Sequence, residues 1–350
     1  MRVLVTGGTG FVGSHTVAAL VAAGHEPHLL VRDPGKLENL CSKHDLPRCE
    51  YTRGDMTDAH AVRRALEGCD GVVHAAALVA LERARARQAI DTNLRGTELV
   101  LGTARQMGVE RIVYVSTAAV LFDPARGPIR PTHPVAPSAG SAYGLSKSQC
   151  ELFVRGLQEA GVCVRTVYPL QVIGPRDPGL SEGNQGLKML MELPRLIPSA
   201  GGMQAIDVRD LAAIHVALLE ADPAPERHVT AGQYLTWAQV CTRLDGLTGN
   251  RTPRLSVDGR LVRWLGRLGD EVQRWVDLGV PLTAEAMEYA SRWPGADSSQ
   301  TLAEFGVSFR PLEETFEDTL RWLHEAGHLS SKRIGRLARP RRKRAGRERD

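Results

Sequence analysis

The sequence predicts a doubly wound α/β fold, with helices on both faces of a parallel sheet, followed by a smaller, mostly helical C-terminal region. Strand-type and helix-type segments alternate through the first 168 residues, and a glycine-rich turn joins the first strand to the first helix. One strand-type segment, Arg111–Val115, is an apolar run of the kind that is buried on both faces of a parallel sheet.

Residues 1–169 form the first predicted domain. Its predicted strands are Arg2–Thr6, His28–Val31, Cys49–Thr52, Gly71–Ala75, Arg111–Val115 and Val162–Tyr168. Its predicted helices are Phe11–Ala23, a helix that begins at Pro34 with Asp33 as its N-cap, Ala59–Leu66, Arg83–Met107 and Ala142–Ala160.

Residues 170–330 are predicted to form a substrate-binding region that is interleaved with the first domain. Its first part, Pro175–Gly202, is rich in Gly and Pro, and Asp207–Ala221 has a helical pattern. His228–Thr230 is a candidate further strand, and Thr236 has the setting of a helix cap.

An amphipathic run extends from Arg260 to Leu278 in this second region. We expect a packed helix here, with the alternative that it walls an apolar substrate pocket. Its large apolar residues are Leu261, Leu265, Leu268, Val272 and Trp275.

The composition is that of a soluble globular protein. Hydrophobic residues make up 43% and charged residues 24% of the 350 residues. No apolar run reaches transmembrane length, and the first strand leaves no room for a signal peptide, so we expect a cytoplasmic protein. The six cysteines form no Cys-x-x-Cys pair, so we expect buried thiols and no metal site.

The basic charge is concentrated at the C-terminus. Residues 332–350 contain ten Lys or Arg and two acids, whereas the rest of the chain has a net charge of −4. We expect residues 331–350 to be a disordered tail. An anionic membrane is the alternative partner for this tail; specific nucleic-acid binding is not expected, because no aromatic residues lie among its charges.

The glycine-rich turn predicts a dinucleotide site. Gly7, Gly10 and Gly13 lie between the first strand and the first helix, where glycines allow a tight turn, a close approach of the backbone to a pyrophosphate, and close packing of helix on strand. The helix N-terminus adds unpaired N–H groups and a positive dipole end. The pattern therefore indicates a Rossmann fold with the pyrophosphate over Gly10–Val12.

The residues after the second strand favour NADP(H) over NAD(H). NAD enzymes of this fold usually have an acid at the position of Val31, where it would hold the ribose hydroxyls. Here Arg32 follows, and an arginine can bind a 2′-phosphate in bidentate fashion. The alternative is that Arg32 is solvated and Asp33 reaches the ribose.

Two further segments predict proton-transfer chemistry. Tyr143 and Lys147 are four residues apart, so they share one helix face, and the ammonium group is expected to lower the pKa of the phenol. Ser116 and Thr117 follow the fifth strand, at the edge where the crevice of such a sheet opens. We expect one of these two hydroxyls to bind a substrate oxygen and the other to form only strand-end hydrogen bonds to the nearby backbone.

Taken in order, these motifs resemble the extended short-chain dehydrogenase/reductase superfamily, also described as the NAD-dependent epimerase/dehydratase family. The resemblance covers Val3 to about Leu211 and implies Thr117, Tyr143 and Lys147 as catalytic residues, with Asn93 holding a proton-relay water. The other cofactor contacts that it implies are Gly7, Thr9, Gly10, Phe11, Val12, Asp55, Met56, Ala75, Ala76, Ala77, Tyr168, Pro169 and Val172.

One departure from the family pattern favours a reductase. Sugar-nucleotide epimerases usually have Tyr-Gly after the position of Val120, whereas this chain has Leu121-Phe122. The chain is closest in pattern to dihydroflavonol-reductase-like members, which implies hydride transfer between nicotinamide and a ketone or secondary alcohol, with Tyr143 as general acid or base. The substrate would be a small molecule, with an apolar one possible, and lipid- and sterol-type dehydrogenases of the same branch stay open as an alternative.

Two alternative functions stay open. The first is a nucleotide-sugar epimerase or dehydratase that keeps NAD tightly bound, and the second is a cofactor-binding regulatory protein without catalysis. The resemblance also implies a homodimer through the helices Arg83–Met107 and Ala142–Ala160.

Overall fold

The computed structural model describes residues 1–46, 48–78, 86–136, 142–222, 226–273 and 283–339. Seven parallel strands form the central sheet in the order β10-β6-β5-β4-β1-β2-β3. These strands are β1 (Arg2–Thr6), β2 (Glu26–Val31), β3 (Glu50–Arg53), β4 (Gly71–His74), β5 (Arg111–Val115), β6 (Val164–Pro169) and β10 (Arg227–Thr230). The predicted doubly wound fold is confirmed, and the candidate strand at His228–Thr230 is its seventh member.

Alternate residues of the strands face opposite layers of helices. Val3 and Val5 of β1 are buried beneath the first layer, whereas Leu4 is buried beneath the second. The first layer consists of α1 (Phe11–Ala22), α2 (Pro34–His44) and α7 (Val208–Glu220); the second consists of α3 (Ala59–Leu66), α4 (Ala86–Gln106) and α5 (Ala142–Glu159). The sheet therefore presents its strand ends as the open edge where a ligand can bind.

The C-terminal half adds two small sheets and seven helices within the described residues. One sheet has the order β11-β9-β7, and the other pairs β12 with β8. The strands are β7 (Gln171–Ile173), β8 (Arg195–Pro198), β9 (Gly202–Asp207), β11 (Tyr234–Thr236) and β12 (Arg254–Val257). The helices other than α7 are α6 (Glu182–Glu192), α8 (Trp237–Thr248), α9 (Gly259–Val272), α10 (Ala284–Arg292), α11 (Ser299–Phe305), α12 (Leu312–Glu325) and α13 (Ser331–Ile334).

Two caps follow the sequence prediction. Asp33 caps α2 by accepting a hydrogen bond from the N–H of Gly35, and Thr236 forms a capping box with Gln239 at the start of α8. Both caps satisfy N–H groups that would otherwise be unpaired at a helix start.

The prediction that the chain is disordered from residue 331 is wrong for residues 331–339. This segment forms α13 and a short 3₁₀ turn, and Ile334 and Leu337 are buried in the core of the C-terminal half. The Asn250 amide donates to the carbonyl groups of Lys332 and Arg333. Two apolar anchors outweigh the local charge, which composition alone does not reveal. Residues 340–350 lie outside the described residues.

One smaller expectation also needs correction. Cys163 is exposed, although all six cysteines are free as expected. The amphipathic run forms α9, which packs against α10 as expected, but Leu261, Leu268 and Val272 lie outside this contact and are exposed. Trp275 lies outside the described residues.

Candidate active site

The glycine loop is packed so closely that larger residues cannot replace two of its glycines. Gly7 has a φ of +71°, and a Cβ there would lie 2.8 Å from the backbone of Ala76. A Cβ at Gly13 would lie 2.1 Å from the carbonyl oxygen of Gly7. No side chain caps α1 after Gly10, so the first N–H groups of the helix face the loop. This cradle fits a pyrophosphate group.

The loop after β2 presents an exposed cation. Arg32 is 70% exposed at its side chain, and its Nη1 lies 3.7 Å from Oδ2 of Asp55. Asp33 is engaged in the cap of α2. Val31 is buried in the core below. Arg32 thus has one long ion pair, with Asp55, and its exposed guanidinium lies where a ligand along the loop would pass.

The residues after β4 are supported by a buried histidine. His74 lies between Thr6, 2.7 Å from its Nδ1, and Thr97, 3.2 Å from its Nε2. Burial lowers the pKa of His74 to about 3, so the ring is neutral at physiological pH. It positions the following segment Ala75–Ala77 against Gly7. Met56, in the segment after β3, packs against Gly96 of α4.

The side chain of Asn93 is hydrogen-bonded to the loop after β4. Its amide accepts a hydrogen bond from the N–H of Leu78 at 2.7 Å and donates to the carbonyl of Leu78 and to Oγ of Ser146. The side chain is almost fully buried. These bonds make Asn93 a support for the loop after β4, and its predicted role in holding a relay water stays a prediction.

The structure distinguishes the two hydroxyls after β5. The Oγ of Ser116 is buried and donates to Oε2 of Glu151 at 2.8 Å. Thr117 is half-buried, and its Oγ1 accepts a hydrogen bond from the N–H of Ala119 at the start of a 3₁₀ turn, which leaves its hydroxyl proton for another partner. Ser116 therefore bonds to a side chain and Thr117 to the nearby backbone, and the role of Thr117 towards a substrate stays a prediction.

Lys147 reaches from α5 to the end of β5. Its Nζ donates to the carbonyl of Val115 at 2.8 Å and to the hydroxyl of Tyr114 at 3.3 Å. An ammonium group has three N–H donors, so one remains. Burial lowers the pKa of Lys147.

Tyr143 lies one helical turn before Lys147 on α5, but the expected lowering of its pKa is wrong for this structure. Burial raises the pKa of Tyr143, and Glu182, Cys150 and Glu285 raise it further. The carboxylates come from α6 and α10, which pack over the phenol. Tyr143 is therefore a phenol at neutral pH and is suited to donate a proton.

A buried carboxylate that the sequence did not suggest connects the catalytic elements. Glu151 accepts hydrogen bonds from Ser116, from the hydroxyl of Tyr168 at 2.5 Å, and from Nε of Arg155 at 3.0 Å. The predicted cofactor contact Tyr168 therefore directs its side chain into this cluster. Of the neighbouring predicted contacts, Pro169 ends β6, and Val172 is half-buried in β7.

An aromatic wall stands beside Tyr143. Phe122 stacks on Trp293 with ring centroids 5.5 Å apart and meets the edge of Tyr289 at 4.7 Å. The Tyr289 hydroxyl donates to Oε1 of Glu285 at 3.0 Å. Only Phe122 had a sequence signal, the departure from Tyr-Gly. Tyr289 lies on α10 and Trp293 directly follows it, and no local motif links this helix to the site.

The same wall contributes negative charge. Glu182 and Glu285 each act on Tyr143, from α6 and α10 respectively. Partial burial and the charge of Glu285 raise the pKa of Glu182. The environment of Tyr143 therefore combines aromatic surface with two carboxyl groups. Within the described residues, no helix is long and apolar enough to cross a membrane.

The chain is similar to known proteins over most of its length. The model of the NAD dependent epimerase/dehydratase family matches residues 3–232. The chain is 28% identical to sterol demethylase protein B of Methylococcus capsulatus, over 94% of this chain and 100% of that protein. It is 28% identical to a candidate dihydroflavonol 4-reductase of Synechocystis sp., over 93% of this chain and 96% of that protein.

An epimerase and a solved structure are also similar. The UDP-glucose 4-epimerase of Neisseria meningitidis serogroup B is 32% identical, over 63% of this chain and 73% of that protein. The crystal structure of gox2253 superposes with a TM-score of 0.80 and 25% identity, covering 94% of this chain and 99% of that one. The similarity to gox2253 extends through the C-terminal half.

Proposed function

Because the chain belongs to the NAD-dependent epimerase/dehydratase family, we propose that it is an oxidoreductase that transfers hydride between NADP(H) and an uncharged, apolar ketone or secondary alcohol. The observation that carries this proposal is the wall beside Tyr143, formed by Phe122, Tyr289 and Trp293 together with Glu182 and Glu285. Aromatic surface favours an apolar ligand. Two carboxyl groups disfavour a nucleoside diphosphate, since like charges repel.

The residues divide the chemistry between them. The bound cofactor supplies the hydride. Thr117 and Tyr143 donate hydrogen bonds to the carbonyl oxygen of the substrate, and Tyr143 then donates its proton to the oxygen of the forming alcohol. The raised pKa of Tyr143 keeps this proton in place at neutral pH. Lys147 offers its remaining N–H to the cofactor ribose.

The glycine cradle and Arg32 support the cofactor assignment. Gly7 and Gly13 leave room that a Cβ would fill, and α1 begins without a side-chain cap. The exposed guanidinium of Arg32 suits a 2′-phosphate, while Asp33 is held in its cap. These features favour NADP(H) over NAD(H).

The similar proteins give independent support for an apolar substrate. The names of two of them mention a sterol and a dihydroflavonol, both polycyclic and uncharged. We also infer a homodimer through α4 and α5, because α5 exposes Leu145 and Leu152 two turns apart on its surface.

The second candidate is a nucleotide-sugar epimerase, which the 32% identity to a UDP-glucose 4-epimerase favours. Such an enzyme would purify with bound NAD and interconvert sugar nucleotides without net cofactor turnover.

The test is to measure NADPH oxidation with a panel of apolar ketones, with UDP-glucose as the competing class. We expect Tyr143→Phe to lower kcat on the best ketone roughly 100-fold to 10,000-fold, because it removes the proton donor, while the Kd for NADPH stays within about twofold. Tyr234→Phe, which removes a half-exposed hydroxyl on β11, is the matched control. Turnover of UDP-glucose alone, or full activity of Tyr143→Phe, would contradict the proposal.

A further inference from the structure

Helix α9 buries its small residues and exposes its large apolar ones. Its buried residues are Gly259, Val262, Gly266 and Gly269. On the opposite side, the exposed fractions are 49% for Leu261, 56% for Trp264, 46% for Leu268 and 38% for Val272. These four residues, which we call the α9 stripe, follow the spacing of one helix face. An ordinary surface helix has the reverse arrangement.

Close packing against α10 explains why α9 turns its glycines inward. A Cβ at Gly266 would lie 2.7 Å from both Cγ of Met287 and the carbonyl oxygen of Thr283. The side chain of Arg263 donates to Oγ of Ser291 at 3.0 Å, and Asp270 accepts a hydrogen bond from the N–H of Ala284. The two helices are thus fixed together by contacts that leave the α9 stripe outside.

A basic flank lies beside the α9 stripe. At 100° per residue, Arg260 and Arg267 lie on the same side of the stripe, two turns apart. Both side chains are exposed, and within the described part of the chain neither takes part in an ion pair. Glu271 follows on this flank, and Asp258 and Asp270 are held in capping bonds. Exposed Leu and Trp beside Arg is the composition of a helix that lies in a membrane interface.

The other helix of the pair reaches the candidate active site. Glu285 and Tyr289 of α10 interact with Tyr143, and Trp293 follows α10 directly. The pair α9–α10 therefore has an exposed apolar outer face and an inner face that walls the substrate site.

We propose that α9 binds the surface of an anionic lipid bilayer, with the α9 stripe inserted among the acyl chains and Arg260 and Arg267 at the headgroups. Bound in this way, the α9–α10 pair places the site next to the phase in which an apolar substrate dissolves; this second step rests on the proposed function. A second copy of the chain is a poorer occupant. Pairing two α9 stripes about a twofold axis would bring four unpaired arginines together.

The test is flotation of the full chain with vesicles of equimolar phosphatidylglycerol and phosphatidylcholine. We expect the wild-type protein to float, and the triple variant Leu261→Gln, Trp264→Gln, Leu268→Gln to bind at least about tenfold more weakly, because three inserted side chains lose their burial. The matched control changes Leu193, Leu196 and Leu255 to Gln; these leucines are also exposed but lie outside α9.

Further measurements distinguish binding through α9 from binding through the basic tail and from pairing of two copies of the chain. A chain that ends at Arg339 should still float, whereas loss of flotation with this chain alone would assign binding to the basic tail. Equal binding of the triple variant and the wild type, or failure of the wild type to float, would overturn the proposal. So would a change of molar mass by light scattering in the triple variant, because it would show that α9 joins two copies.

Flotation measures membrane binding whether or not the protein reduces a ketone. The triple variant should keep the wild-type kcat/KM on a water-soluble ketone, since its changed side chains lie on the outer face. If no ketone is reduced by either protein, the proposed function fails, while flotation still decides the membrane proposal.

Discussion

At two places in this molecule a glycine allows a helix to pack closely against another segment. In one of them the large apolar residues of the helix are buried, and in the other they are exposed. At the start of α1, Gly13 packs against Gly7, and the helix behind it buries Val17 and Leu20 beneath the parallel sheet. In α9, Gly266 packs against α10, and the large apolar residues stay outside. Glycine spacing therefore predicts where a backbone comes close, but not which face of the helix is covered.

The largest expected effect comes from filling the first of these contacts. Gly13→Ala places a Cβ 2.1 Å from a backbone oxygen that cannot move aside. We expect the Kd for NADPH to rise roughly a hundredfold, since a displacement costing about 3 kcal/mol falls at the pyrophosphate site. Titration of NADPH by fluorescence measures this.

Two other glycines sharpen the comparison. Gly266→Ala should lower the free energy of unfolding by about 1–3 kcal/mol without changing NADPH affinity, because its contact lies between α9 and α10. Gly102→Ala in α4 is the control: no atom lies within 4 Å of its added Cβ, so stability should rise by up to about 1 kcal/mol. An NADPH affinity that falls equally in the variants at 13 and 266 would remove the distinction between the two regions.

The second prediction is that acid lowers the free energy of unfolding, because four buried histidines are neutral in the folded protein. Burial lowers the pKa of His74 and His215 from 6.5 to about 3, and that of His15 and His44 to about 4. The unfolded chain takes up these protons below pH 6.5, whereas the folded chain does not until pH 3 to 4. The contribution of these histidines to the free energy of unfolding is therefore present above pH 6.5 and is lost as the pH falls. At pH 5 the loss is about 2 kcal/mol per histidine.

The carboxyl group of Glu182, beside the aromatic wall, has the opposite effect: it favours the folded state as the pH falls. The pKa of Glu182 is raised, so the folded state binds its proton more readily than the unfolded state, and acid relieves its repulsion from Glu285. Urea unfolding at pH 7 and pH 5 tests the comparison. His215→Asn should reduce the wild-type loss by about 2 kcal/mol, and His60→Asn, at an exposed position on α3, should not. If the free energy of unfolding falls as much between pH 7 and pH 5 in His215→Asn as in the wild type, buried neutral His215 is not a cause of the acid sensitivity.

The smallest expected effect is at Arg32. Arg32→Ala should weaken NADPH binding roughly tenfold, because one exposed phosphate contact is lost, and should leave NADH binding unchanged. Arg63→Ala, an exposed arginine on α3, is the control. Equal affinity of the wild type for NADH and NADPH would instead favour NAD as the cofactor.

Sequence predicted the sheet closely because its signals are local. The bounds of β1, β5 and α3 agree with the prediction, since each follows from apolar periodicity and a neighbouring turn or cap. At the candidate site, the tight glycine turn and the half-buried position of Thr117 also follow from their place at strand ends.

The features that sequence did not predict depend on packing between distant segments. The pKa of Tyr143 rises because α6 and α10 bring burial and two carboxylates to it, and no motif on α5 contains that information. Asn93 holds Leu78 because the chain returns beside α4. The exposure of the α9 stripe depends on α10, which approaches α9 so closely that no Cβ fits at Gly266.

The buried carboxylate of Glu151 has a consequence for how this protein can change. It joins α5, which carries Tyr143 and Lys147, to Ser116 after β5 and to Tyr168 of β6, so hydrogen bonds inside the sheet domain hold these segments together. Among the described residues, Glu151 forms none of its hydrogen bonds with the α9–α10 pair. Exchanging that pair for another should therefore leave Tyr143 and Lys147 in place relative to the end of β5.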